Sequence, residues 1–190
     1  MYKKLFIFLF ACSILAPAQT SYELNKLFDS AVKDFKDSKF SSAIVSFNNI
    51  AGEYPLNSKT SVALLFGGKI NLELKNYSDA EANLLRLLKE FPQSKYSDDA
   101  EITLARVYLD QKEYAKSFWS LCSLVGYSKQ SETKAFARSK AENIALNFLS
   151  AAEVKLIYDS TKQSSIKPFL LLISGKIHLN RKNDKLDPLY

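Results

Sequence analysis

Asn76–Ala100, NYSDAEANLLRLLKEFPQSKYSDDA, closes one pair of helices and opens the next. Stepping from it in units of 37 residues lays out most of the chain. Tyr77 lies 37 residues after Phe40 and 37 before Tyr114. Ala80 lies 37 after Ala43, and Pro92 lies 37 after Pro55. Leu84 matches Phe47 and Leu121, Leu87 matches Ile50 and Leu124, and one more step reaches Ala151 and Tyr158. A fixed period of this size marks a solenoid, in which each unit buries its apolar face by stacking on its neighbours.

Within the unit, aromatic-x-x-Ala-x-x-x-aromatic/Leu…Pro occurs as Phe40/Ala43/Phe47/Pro55 and again as Tyr77/Ala80/Leu84/Pro92. The small Ala lets two helices approach, the bulky residue four later fills the space between them, and the Pro stops the helix at the turn to the next unit. The third unit supplies a first-helix half, Leu104-Ala105-x-x-Tyr108. These residues resemble the tetratricopeptide repeat family over roughly residues 22–182, three units matching well and a fourth poorly. The stretch FPQSKYSDDAEITLARVYLDQKEYAKS looks like the variant of outer-membrane-assembly lipoproteins and Tol–Pal-associated periplasmic proteins. The resemblance implies an all-α superhelical solenoid of about four helix hairpins plus a terminal helix. The pattern departs from the family in its period, 37 rather than the usual ~34. The first-helix aromatic position holds Phe35 and Leu72, one residue late, and the fourth unit offers Glu142 and Ala145.

Apolar residues recur at three- and four-residue spacing through the rest of the chain, with no strand-like alternation, and short polar turns separate the helices. Ser78-x-x-Glu81, Asp98-x-x-Glu101 and Ser150-x-x-Glu153 have capping-box spacing, which predicts helix starts there. The last helix repeats an earlier one. LLFGGKINLELKN from Leu64 aligns with LLISGKIHLNRKN from Leu171, eight of thirteen identical. Residues 166–182 therefore read as the first helix of a fifth unit. That helix carries more apolar residues than one stripe needs, so it is expected to dock on a partner or to belong to a chain that once continued.

Residues 1–18, MYKKLFIFLFACSILAPA, read as a secretory signal. Lys3 and Lys4 precede an apolar run too short for a stable span, and Ala16-Pro17-Ala18 is a small-x-small cleavage site. The mature chain then begins at Gln19, with residues 19–183 as the repeat domain and 184–190 as a tail. A rival reading is a lipobox at Leu9–Cys12, and only that would place the protein on a membrane, through a lipidated Cys12. Removing the signal takes two lysines and lowers the net charge from +6 to +4, too mild and too scattered for nucleic-acid binding. The mature chain keeps one cysteine, Cys122, which excludes an internal disulfide and reads as a packing residue.

Catalytic chemistry is not legible. The single histidine, His178, cannot build a multi-histidine metal site, and Gly67-Gly68-Lys69 lacks the strand and spacing of a phosphate loop. The expectation is a non-enzymatic protein with no cofactor and no metal, acting on a protein or peptide partner; its oligomeric state is left open. In the repeat family the first helices line a concave groove. Carried through the 37-residue register, the resemblance places there Phe28 and Val32, Leu65 and Lys69, Ile102 and Arg106, and Ser139 and Asn143. Lys69 and Arg106 fall on successive rungs, suited to an acidic segment or a terminal carboxylate. The export signal and the repeats together suggest a scaffold in the bacterial cell envelope. The bare last helix suggests instead the repeat module of a larger periplasmic ligand-binding or cell-wall-enzyme-activating protein.

Overall fold

A computed structural model describes residues 21–55 and 57–186. The stretch 1–18 read as a signal, the cleavage site expected there, Cys12 and Pro188 lie outside the described residues. Those described form nine α-helices, one short 3₁₀ turn and no strand. α1 spans 21–36, followed by α2 Phe40–Glu53, α3 Ser58–Glu73, α4 Tyr77–Glu90, α5 Ser97–Asp110 and α6 Tyr114–Tyr127. α7 Ser131–Phe148, α8 Ala151–Ser160, the 3₁₀ turn Ser164–Ile166 and α9 Lys167–Leu186 complete the chain. α9 runs past the expected end at 182.

The 37-residue period is geometric as well as textual. α2, α4 and α6 each hold 14 residues and begin at Phe40, Tyr77 and Tyr114. Each is preceded by the same turn. Ser38, Lys75 and Lys112 have φ of 59°, 60° and 62°, and the following amides of Lys39, Asn76 and Glu113 donate to the carbonyls of Asp34, Asn71 and Tyr108. This is a Schellman closure. A left-handed non-glycine residue costs roughly 1–2 kcal/mol, and the two amide–carbonyl bonds of the turn offset it.

The small positions of the second helices, Ala43, Ala80 and Ser117, are fully buried, as is Val154 one step on. Phe47, Leu84 and Leu121 are buried beside them, as are Ile50, Leu87 and Leu124. Each such side chain contributes about 1.5–3 kcal/mol by leaving water, so these rows hold the stack. Three apolar clusters follow one another along it: one around Phe47 and Ile70, one around Leu84 and Leu104, one around Phe118, Ile144 and Leu170. Cys122 is buried in the last of these, and burial raises its thiol well above the ordinary cysteine range.

Two of the three expected capping boxes do not form. α4 starts at Tyr77 and α5 at Ser97, which puts Ser78 and Asp98 inside their helices. For α4 the reason is the Schellman turn, which fixes Asn76 as the flanking residue before Ser78 can act. The freed side chains bond across units instead. Tyr108 Oη donates to Glu81 Oε1 at 2.7 Å, and Ser128 Oγ donates to Asp98 Oδ2 at 2.5 Å. The third box is present: Glu153 N donates to Ser150 Oγ at 3.2 Å and Ser150 N donates to Glu153 Oε2 at 2.7 Å.

That box marks a change of geometry. The residue one period beyond Lys112 is Leu149, which is extended (φ −109°, ψ 150°) rather than left-handed. α8 consequently does not fold back along α7. It lies against α9 and touches α6, while α9 also rests on α7.

Candidate functional site

Among the first helices of the units, α1 meets α3, α3 meets α5 and α7 meets α9 through polar and aromatic contacts. Lys59 of α3 stands over the Phe28 ring of α1, its Nζ 4.4 Å from the centroid. Lys69 Nζ of α3 lies 3.9 Å from Asp99 Oδ2 of α5, and Arg106 Nη2 of α5 lies 3.8 Å from Glu73 Oε1 of α3. Arg138 of α7 stands over the Phe169 ring of α9, and Lys176 of α9 pairs with Glu142 of α7. α3 touches α5 directly, as α7 touches α9.

The eight groove positions fall as follows. Phe28, Val32, Lys69 and Ile102 are partly buried, and Arg106, Ser139 and Asn143 are exposed. Leu65 is 2% exposed and packs in the Leu84–Leu104 cluster, so it is a core residue and not open to a partner. Lys69 and Arg106 do stand on adjacent helices, and each faces a carboxylate of the other's helix. Glu73 and Asp99 thus stand against two of the candidate positions, and the sequence reading missed them. Their signal was available: Lys69 and Glu73 are four apart, and Asp99 and Arg106 are seven apart, spacings that put each pair on one helix face.

Those two ion pairs are long and their side chains are 38–62% exposed. Pairs of this kind contribute about 0–1 kcal/mol. They are too weak to hold the stack and weak enough for an incoming carboxylate to exchange with Asp99 or Glu73. The α3–α5 face therefore carries two rungs of alternating charge, with Ile102 between Asp99 and Arg106 on the same helix.

A second hollow, of about 510 Å³, opens where the α4–α5 turn meets the α6–α7 turn, with Pro92, Lys95, Glu101 and Tyr127 in its wall. Burial against α6 pushes the Glu101 carboxyl up from 4.5 to about 7, the Asp98 carboxylate adding to the shift and the Ser120 hydroxyl opposing it. Burial likewise raises the Tyr127 phenol above its ordinary range. Trp119, 38% exposed, stands at the edge of a shallower recess between α4 and α6.

A sequential stack of helix pairs whose first helices share one face defines an α-helical repeat protein. The family model that matches residues 17–144 is described as a tetratricopeptide repeat-like domain. The match covers more than half of the chain, and the chain belongs to that family. It ends within α7, before the turn at which the regular geometry changes. A search of curated proteins finds no match. Repeat domains of this kind are typically non-catalytic and serve as protein–protein interaction scaffolds.

Proposed function

We propose that this protein is an exported, non-enzymatic adaptor of the bacterial cell envelope that holds an acidic, partly apolar segment of a partner protein along its first helices. The observation that carries the reading is the pair of rungs Lys69–Asp99 and Arg106–Glu73, exposed and exchangeable, next to Ile102. Export rests on residues 1–18, and service in outer-membrane assembly or Tol–Pal-linked maintenance rests on the resemblance of the Phe91–Ser117 stretch. The open face of α9 favours a second reading, a repeat module of a larger periplasmic ligand-binding or cell-wall-enzyme-activating protein.

A photo-crosslinking residue at Ile102 tests the groove. In envelope extract it is expected to trap a defined partner, whereas the same residue at Val45, 57% exposed on α2, is not. Equal labelling from both positions would remove the groove from the argument. Export makes a separate prediction. The purified protein should begin at or near Gln19, and mass spectrometry showing a diacylated Cys12 would replace a soluble adaptor with a membrane-anchored one.

A further inference from the structure

The seam between α4 and α6 departs from the repeat at two packing positions. One period back, α4 is tied to α2. Arg86 Nε donates to Glu90 Oε2, and Arg86 Nη2 reaches across to the Ala51 carbonyl of α2 at 3.1 Å. Leu64 of α3 is 1% exposed and packs in the cluster that holds Ala51 and Leu87. One period on, the equivalents of Arg86 and Leu64 are Ser123 and Glu101. Ser123 Oγ donates to the Trp119 carbonyl, within its own helix. A carboxyl thus replaces a core leucine, and Trp119 replaces Ala82.

Two hollows open along this seam. The larger, of about 510 Å³, and the recess at Trp119, of about 360 Å³, share Leu88 and Glu101 in their walls. Leu85, Trp119 and Tyr127 stand in those walls and are exposed. Four lysines line the hollows as well. Lys116 is held by Glu113 at 2.6 Å. Lys89, Lys95 and Lys129 are exposed and take part in no ion pair among the described residues, Lys95 standing over the Tyr96 ring. Two acids face them. Asp98 accepts from Ser128 Oγ, and Glu101, buried against α6, holds its proton to about 7. Positive charge therefore exceeds negative charge around the hollows at neutral pH.

We propose that the two hollows together bind an extended segment of a partner protein that carries apolar side chains flanked by acids. Its apolar side chains enter beside Trp119 and Tyr127, since buried aromatic contacts supply most of the energy of such recognition. Its carboxylates meet Lys89, Lys95 and Lys129, whose charge is not already spent on a neighbour. Gln93, Ser94 and Gln130 line the larger hollow and offer hydrogen bonds to a peptide main chain, which an acyl chain would leave unused. Lys69, Glu73, Asp99 and Arg106 line neither hollow, so the seam stands or falls independently of the adaptor reading.

A short fluorescent peptide of glutamate, phenylalanine and leucine, titrated against the full chain by anisotropy, tests this. Saturable binding is expected, and none by the same peptide with lysine for glutamate. Lys95→Glu with Lys129→Glu, and separately Trp119→Ala, should weaken it about ten-fold or more. All three positions are exposed, so these variants should keep the parent's circular dichroism. Lys26→Glu with Lys162→Glu makes the same change of net charge at exposed positions that line neither hollow, and should leave affinity unchanged. No binding, or binding indifferent to the seam variants, would overturn the proposal. Binding lost in Lys69→Glu with Arg106→Glu but kept in the seam variants would also overturn it, and place the peptide on the first helices. Co-sedimentation with phosphatidylglycerol vesicles but no binding of peptide would overturn it in favour of a lipid surface.

Discussion

Gly68 and Gly175 are the same residue at equivalent places in two helices, and they should respond to the same substitution with opposite sign. Glycine inside a helix costs roughly 0.5–1 kcal/mol relative to alanine. At Gly175 a Cβ meets nothing, so Gly175→Ala should recover most of that and raise the melting temperature. At Gly68 the Cβ would lie 2.7 Å from both Cγ and Cδ2 of Leu84, a leucine that is itself fully buried. Overpacking of this kind costs about 1–3 kcal/mol, which exceeds the propensity gain, so Gly68→Ala should lower the melting temperature. A matched pair of thermal melts decides it. Two shifts of the same sign would mean that helix propensity, not close approach, sets the value of these glycines.

At the scale of elements, α5 carries Glu101 against α6, and this predicts a pH dependence with a definite sign. In the unfolded chain the carboxyl loses its proton near 4.5; in the folded chain it holds it to about 7. Between those values the folded state binds the extra proton, so stability falls as pH rises through the window and stays reduced above it. Glu101→Gln is neutral throughout. It should match the parent at pH 4 and exceed it at pH 8 by on the order of 1 kcal/mol, the full shift being discounted because Glu101 is partly exposed. Urea unfolding at the two pH values reads the difference, and a gap that does not widen with pH would show that Glu101 is solvated. Glu101 also shows where sequence reading stopped. Its spacing from Asp98 matched a capping box, yet α5 begins at Ser97, so Asp98 turns to Ser128 and Glu101 to α6. The 37-residue spacing of Phe40, Tyr77 and Tyr114 was legible and matches the starts of α2, α4 and α6, whereas the capping-box spacing at Ser78 set the start of α4 too late. The loss of the hairpin between α7 and α8 was not, because it depends on the backbone of Leu149, whose side chain is compatible with either conformation.

Across the whole molecule, the register placed the eight candidate positions on the first helices, and depth and pairing were what it could not supply. A first-helix position reads alike whether it faces out, as Ile102 partly does, or packs under the next unit, as Leu65 does. Lys69 and Arg106 were legible as cations on successive rungs; Asp99 and Glu73 opposite them emerge only when α3 and α5 are set side by side. That pairing sharpens the test of partner binding. Lys69→Glu with Arg106→Glu should weaken an acidic partner trapped at Ile102 by about ten-fold or more, each exchangeable pair being worth up to about 1 kcal/mol. The same change sets like charges against Asp99 and Glu73 and costs the stack a comparable small amount. Adding Asp99→Lys and Glu73→Lys restores both ion pairs with reversed polarity. If the rungs serve recognition, the fourfold variant regains the parent's melting temperature but not its affinity, because each rung now presents its charges in exchanged positions. If the rungs serve only to align α3 and α5, affinity returns together with stability. Equal binding by the parent and both variants would move the partner off this face altogether.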